Sequence, residues 1–159
     1  LAWISAQKQS EVLGAMSPYL KFVWPLHYVV PAKTSMLRGY HLFIWTEHCL
    51  LFGKGMVHPN NWIPDTIISY KNVAQDNVHE WRKNPEAYSN WLEAFCPQGG
   101  IVFDPFCGGG TVPAVCKQLG RDYLGFELDA ETAEKARQRV LNTQPPLFIP
   151  EAEQLAMIE

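Results

Sequence analysis

The 159-residue sequence has no window of the roughly 18 uninterrupted apolar residues that a membrane-spanning helix needs. Residues 1–11 show no basic stretch leading into an apolar run and a small-residue cleavage site, so no signal peptide is read there. The first residue is Leu rather than Met, and the true start is expected to lie outside the sequence. Cysteine is scarce. Cys49, Cys96, Cys107 and Cys116 form no CxxC pair, which argues against a disulfide scaffold and for reduced thiols in a cytosolic protein. His41, His48 and Cys49 match no zinc spacing, and strand alternation puts His41 and His48 on opposite faces, so no metal site is read. Internal repeats and low-complexity tracts are missing as well. Disorder is excluded for most of the chain by composition: 47% of residues are apolar and 13% aromatic, enough to bury a core, and the length suits one domain.

Net charge is only -3, yet it is unevenly spread. Residues 1–60 carry five basic and two acidic side chains; residues 84–159 carry five and eleven. A positive half beside a negative half suits a molecule that meets a polyanion with one face, and ordinary surface scatter accounts for the counts equally well.

Leu1–Ser5 reads as a short buried strand, and Ser10 as the cap of a helix over Glu11–Met16. Tyr19–Val30 reads as a strand made irregular by Pro25, Lys33–Tyr40 as a loop, and His41–Phe52 as a strand closed by Gly53-Lys54-Gly55. Residues 56–78 read as one long loop, a length that is often functional. Trp24, Tyr28, Trp45 and Trp62 suit core packing first and base stacking second.

From residue 84 the signals sharpen. Pro85 opens a helix to Phe95 with Tyr88, Trp91, Leu92 and Phe95 at helical spacing. Ile101–Phe103 is a strand, Thr111–Leu119 a helix stopped by Gly120, and Tyr123–Phe126 a second strand. Asp129 caps a last helix with Ala133, Ala136 and Val140 facing inward and Glu131 in reach of Lys135. After Asn142, Pro145, Pro146 and Pro150 mark a tail. This alternation is that of a parallel α/β sheet.

Between the two strands lies Asp104-Pro105-Phe106-Cys107-Gly108-Gly109-Gly110-Thr111. Glycines without Cβ let a ligand approach the backbone, and the following helix aims its free N–H groups at the same spot. Asp104 can bind a cationic or hydroxyl group. Glu127, 23 positions later at the end of the second strand, is placed to accept from both hydroxyls of a ribose. The dinucleotide fingerprint is not met, because position 113 is Pro where a third glycine belongs. A tight turn without a ligand is the plain alternative.

The stretch from His79 to Leu141 resembles the permuted amino DNA methyltransferases, which modify N6 of adenine or N4 of cytosine. Their cofactor motif is a DPFxGxGT string, preceded about 20 residues upstream by His-x-x-x-Lys-Pro. Here that segment is His79-Glu80-Trp81-Arg82-Lys83-Asn84, with Asn in place of Pro, and Pro85 follows. The resemblance implies S-adenosyl-L-methionine as cofactor and an incomplete Rossmann-like S-adenosylmethionine-dependent methyltransferase fold. It implies that His79, Lys83 and Asn84 hold the methionine end. Asp104, Pro105, Phe106, Cys107, Gly108, Gly110 and Thr111 would wrap the cofactor, and Glu127, with Leu128 beside it, would take the ribose. Residues 1–55 look like the later sheet strands of such an enzyme, ending in a Phe-Gly-Lys-Gly turn, and the arrangement is similar to phage-type members. The implied division is a partial methyltransferase domain over 1–145, with later strands 1–55, a loop 56–78 and a cofactor half 79–142, then a tail 146–159.

The family's catalytic tetrapeptide, Asp/Asn/Ser-Pro-Pro-aromatic, does not occur. Ser17-Pro18-Tyr19 has one proline too few, and Gln144-Pro145-Pro146-Leu147 has the wrong ends and lies in the tail. The resemblance therefore implies a chain that starts before the fifth strand of such a sheet, with two unpaired edges facing a gap. Double-stranded DNA is the implied partner, with N6 of adenine ahead of N4 of cytosine as target. A homodimer or a complementing N-terminal segment would close the gap. A non-catalytic cofactor- or DNA-binding module, and an RNA or small-molecule methyltransferase, share the pocket.

Overall fold

A computed structural model describes residues 1–31, 36–55, 62–69 and 85–146. The chain divides into two compact units, Leu1–His58 with Trp62–Val73, and Pro59–Asn61 with Ala74–Glu159.

The first unit is built on a four-stranded sheet. Strand β1 is Ala2–Ile4. A single 3-10 turn, Ala6–Lys8, runs straight into helix α1, Gln9–Met16. The helix thus starts earlier than Ser10 predicts: Lys8 stands at the cap position and no side chain caps it, the preceding turn having supplied the entry. Strand β2 is Lys21–Val29 and β5 is Thr46–Gly53, with β3 (Met36–Leu37) and β4 (Leu42–Phe43) between them and β6 (Thr66–Ile68) after. The sheet order is β1-β5-β2-β6, and β3 pairs with β4 alone. The β2 irregularity falls between Phe22 and Trp24, not at Pro25, which keeps register with Leu50. Strand β6 joins β2 only from His27 onward, so the proline stands where that edge is open and no ladder bond needs its missing N–H.

Two expected loops hold strands. Lys33–Tyr40 contains β3 and a 3-10 turn at Arg38–Tyr40, and the 56–78 stretch contains β6. Strands of two or three residues carry no readable periodicity; their partners are supplied by distant chain. His41–Phe52 is likewise split into β4 and β5. Leu26 and Tyr28 share a face of β2 and are buried, while Cys49 to Phe52 are buried in succession, as a strand covered on both faces requires. Of the four aromatics assigned first to the core, Tyr28 is 1% exposed but Trp24, Trp45 and Trp62 are 56%, 43% and 103% exposed. Trp24 instead donates its indole N–H to Asp65 at 3.1 Å.

The second unit follows the predicted alternation. Helix α2 is Pro85–Phe95, β7 is Ile101–Asp104, α3 is Thr111–Leu119, β8 is Asp122–Gly125 and α4 is Ala130–Asn142. Strands β7 and β8 pair in parallel, Ile101 with Asp122 through Asp104 with Gly125. Leu92 of α2 meets Val115 and Cys116 of α3, with Tyr88, Val102 and Leu119 packed around them. Burial pushes the Cys116 thiol up to about 12, so it packs as a small apolar group. Arg121 is 7% exposed and is satisfied by the carbonyl oxygens of Cys96 and Leu119. The lone capping side chain predicted for α4 is in place: Asp129 accepts from the Thr132 N–H at 2.8 Å. Lys135 donates to Glu131 at 2.6 Å.

Candidate functional site

In a parallel strand pair both carboxyl ends lie on the same side, so β7 delivers Asp104 and β8 delivers Glu127 to one place. Beyond the paired residues the two strand ends stay tied. Phe126 N–H donates to the Asp104 carbonyl at 3.0 Å, and Cys107 N–H donates to the Phe126 carbonyl at 2.9 Å. The chain then turns through Cys107–Gly110, closed by Gly110 N–H to the Cys107 carbonyl at 2.9 Å, and enters α3.

Two glycines make this turn. Gly110 has φ +74° and lies against α4 so closely that a Cβ would stand 2.9 Å from the Ala136 Cβ. Only glycine fits, on both counts. Gly108 has φ +50°, and a Cβ there would meet nothing within 4 Å: the space beside it is open.

The Glu127 carboxylate points at the turn. Its Oε2 accepts from Gly108 N–H at 3.0 Å and its Oε1 accepts from Asp129 N–H at 3.0 Å. One side chain thereby joins the glycine turn to the start of α4. Each carboxylate oxygen keeps further acceptor capacity. The Asp104 Oδ1 accepts from Phe106 N–H at 3.1 Å. Burial pushes the Asp104 carboxyl above its ordinary range, with the Glu127 charge adding to the push against the Phe106 hydrogen bond. Burial and the same two carboxylates also raise the Cys107 thiol, which disfavours its thiolate form.

The first turn of α3 leaves N–H groups without intrahelical partners, and Pro113 has none to offer, so Thr111 and Val112 supply them. A cavity of about 400 Å³ opens beside Glu127, between β8 and α4. Cys107, Phe126 and Glu127 line one end, and Ala133, Ala136 and Val140 its helical wall. This volume lies in the range of about 300–1,000 Å³ usual for small-molecule sites.

The structure therefore brings Asp104, Pro105, Phe106, Cys107, Gly108, Gly110, Thr111, Glu127 and Leu128 to one end of the β7–β8 pair. Phe106 and Leu128 stand at its rim, 88% and 101% exposed. His79, Lys83 and Asn84 lie outside the described residues. Sequence reasoning missed the part played by α4. Ala136 seats Gly110, and Arg139 donates through Nη1 to the Gly109 carbonyl at 3.2 Å and to Thr111 Oγ1 at 2.8 Å. A signal was present: Arg139 is three residues after Ala136, on the inward stripe of α4. Among the considered metal ligands, His48 faces His27, with Nδ1 to Nδ1 at 3.2 Å.

Residues 6–138 match the family model for DNA methylases, N6_N4_Mtase. The chain is 31% identical over 110 residues to the type II methyltransferase M.SmaI of Serratia marcescens, a match covering 60% of this chain and 38% of that protein. It is 38% identical over 73 residues to the type II methyltransferase M.HpaI of Haemophilus parainfluenzae, covering 40% of this chain and 23% of that one. The matches thus span well under half the length of either relative. Among solved structures, the M1.HpyAVI–SAM complex superposes with a TM-score of 0.74 at 20% identity, over 88% of this chain and 72% of that one. The cytosine-N4-specific PvuII DNA methyltransferase does so with 0.70 at 13%, over 96% and 62%. At these identities the structural likeness speaks for the fold: Rossmann-like, and shared with methyltransferases.

Proposed function

The chain belongs to the N6_N4_Mtase family of DNA methylases, and from that premise we propose that residues 79–142 bind S-adenosyl-L-methionine for methyl transfer to an exocyclic amine of a DNA base, N6 of adenine or N4 of cytosine. The observation that carries the cofactor part is the Glu127 carboxylate aimed at the glycine turn, with open space beside Gly108 and the 400 Å³ cavity adjoining.

The residues suit an adenosyl group. Glu127 is held in place by two backbone N–H groups and has lone pairs left for the two ribose hydroxyls. The cavity offers the apolar walls of Phe126, Ala133, Ala136 and Val140 to a base ring. The N–H groups of Thr111 and Val112 and the dipole of α3 favour an anionic group at the opposite end of the turn. The Asp104 carboxylate can accept a hydrogen bond at the same mouth. When bound, the cofactor supplies a sulfonium-activated methyl group. The chain's share of the reaction is to bind that cofactor and hold it still for in-line attack.

The base-binding tetrapeptide of such enzymes does not occur in these 159 residues. That observation keeps a second reading in view, a cofactor- or DNA-binding module without transfer activity. A labelled-methyl assay on duplex DNA separates the two. Within their own units β1 pairs only with β5 and β7 only with β8 among the described residues. We extend the proposal to a second copy or a complementing segment at these edges, which sedimentation analysis reads as an assembly larger than 18.1 kDa.

Calorimetric titration with S-adenosylhomocysteine tests the cofactor part. Binding is expected, weakened at least about ten-fold in Glu127→Gln, since hydrogen bonds to a charged acceptor are worth about 1.5–3 kcal/mol. No heat from the folded wild-type chain at high micromolar ligand defeats it.

A further inference from the structure

We propose that Arg139 is a positioning residue of this site, locking the Gly109–Gly110 peptide so that the glycine turn keeps the shape that receives the ligand. The inference rests on the adenosyl reading above and adds a residue outside the recognised string.

Three observations converge on it. First, both ends of that peptide are pinned. Its carbonyl accepts from Arg139 Nη1 at 3.2 Å, and its N–H donates to the Cys107 carbonyl at 2.9 Å. A peptide between two glycines, one of them at φ +74°, rotates with little steric resistance, so opposed hydrogen bonds are what hold its plane. Without the guanidinium, the Gly110–Cys107 bond alone holds the peptide plane, and an oxygen turned into the mouth would oppose the Glu127 and Asp104 carboxylates and any anionic ligand group.

Second, the same Nη1 donates to Thr111 Oγ1 at 2.8 Å. The hydroxyl therefore acts as acceptor toward Arg139, and its own hydrogen is directed elsewhere as a donor. One cation fixes two groups on either side of Gly110, at the point where the turn becomes a helix.

Third, the charge is placed against the local field. Arg139 lies in the last turn of α4, where a cation is favoured, but its guanidinium sits at the first turn of α3, where the helix dipole opposes a cation. A neutral donor would meet the same two acceptors without opposing that dipole. A cation makes sense if the turn must stay closed and its surroundings must stay attractive to negative charge.

Lys117 provides the control. It is also a long basic side chain, but its two hydrogen bonds go to backbone carbonyls at the end of α4, those of Val140 at 2.7 Å and Leu141 at 3.4 Å, rather than to the turn. The test compares wild type, Arg139→Met, Arg139→Lys and Lys117→Met. Two readouts are taken: amide exchange at Gly110 without ligand, and S-adenosylhomocysteine affinity by calorimetry. Arg139→Met is expected to speed Gly110 exchange and weaken affinity about ten-fold or more, with Arg139→Lys between it and wild type. Lys117→Met is expected to lower thermal stability while leaving both readouts within about two-fold of wild type. Unchanged Gly110 exchange in Arg139→Met overturns the inference, as does equal loss of affinity in Lys117→Met. If wild type binds no ligand, the adenosyl reading falls, whereas the exchange measurement still decides the role of Arg139 in the turn.

Discussion

The β2–β5 ladder and the β7–β8 pair use their backbones in opposite ways. Strands β2 and β5 run antiparallel through eight register pairs, so the carboxyl end of each lies beside the amino end of the other and polar groups are consumed along the ladder. Strands β7 and β8 run parallel for four pairs, and both carboxyl ends open on one side. Asp104, Glu127, the glycine turn and the start of α3 meet there because of topology, not because the sequence is more polar in that region. In the first unit one polar pair lies within the sheet, where His27 faces His48 across the strands. An open parallel edge gathers donors and acceptors for a ligand; a closed antiparallel ladder spends them on itself.

The largest test of this contrast is Gly110→Ala. It forces a positive φ on alanine and drives a Cβ to within 2.9 Å of Ala136. A loss of at least about 2–3 kcal/mol in urea unfolding is expected, together with loss of S-adenosylhomocysteine binding. Gly108→Ala, with open space around it, should cost only about 1 kcal/mol from its backbone conformation. Equal costs at the two positions would mean that the turn is not seated on α4.

A smaller effect distinguishes the ladder. His48 is pushed below the ordinary histidine range by burial and then by the charge of His27, whose own surroundings include Asp65. The unfolded chain takes up a proton near pH 6.5 that folded His48 resists, so this group's contribution to stability is complete above that pH and falls as acid is added below it. His48→Gln should remove this part of the pH dependence. A slope that persists in the variant assigns it to other groups.

The smallest expected effect lies at the open edge. Asp104→Asn keeps an acceptor for Phe106 N–H and removes a half-buried charge beside Glu127. The ligand-free chain should melt at a higher temperature at pH 7 while its affinity for S-adenosylhomocysteine drops, the trade expected where a site holds like charges together. A variant that melts lower would show that the Asp104 charge is stabilising.

Much of the second unit was legible because its signals are local. Pro85 in the first turn, Gly120 after α3, Asp129 as cap and the Asp104–Thr111 string each act within a few residues of themselves. The first unit was harder. Strand β6 exists only because β2, some forty residues earlier, offers it an edge, and the β3–β4 pair has only two residues on each side. Nor does hydrophobicity tell which aromatic is buried: Tyr28 is in the core and Trp62 is fully exposed, though tryptophan is the more apolar bulk.

By itself the sequence determined the order of helices and strands from Pro85 onward, the glycine turn and the two acidic strand ends, since each depends on bonded neighbours or on one helical turn. Only the tertiary structure decided that Glu127 reaches back to Gly108, that Ala136 leaves room for nothing but glycine at position 110, and that Arg139 bonds to the Gly109 carbonyl. Those contacts join residues 19 to 30 positions apart, and their geometry comes from how β8 and α4 pack rather than from any pattern along the chain.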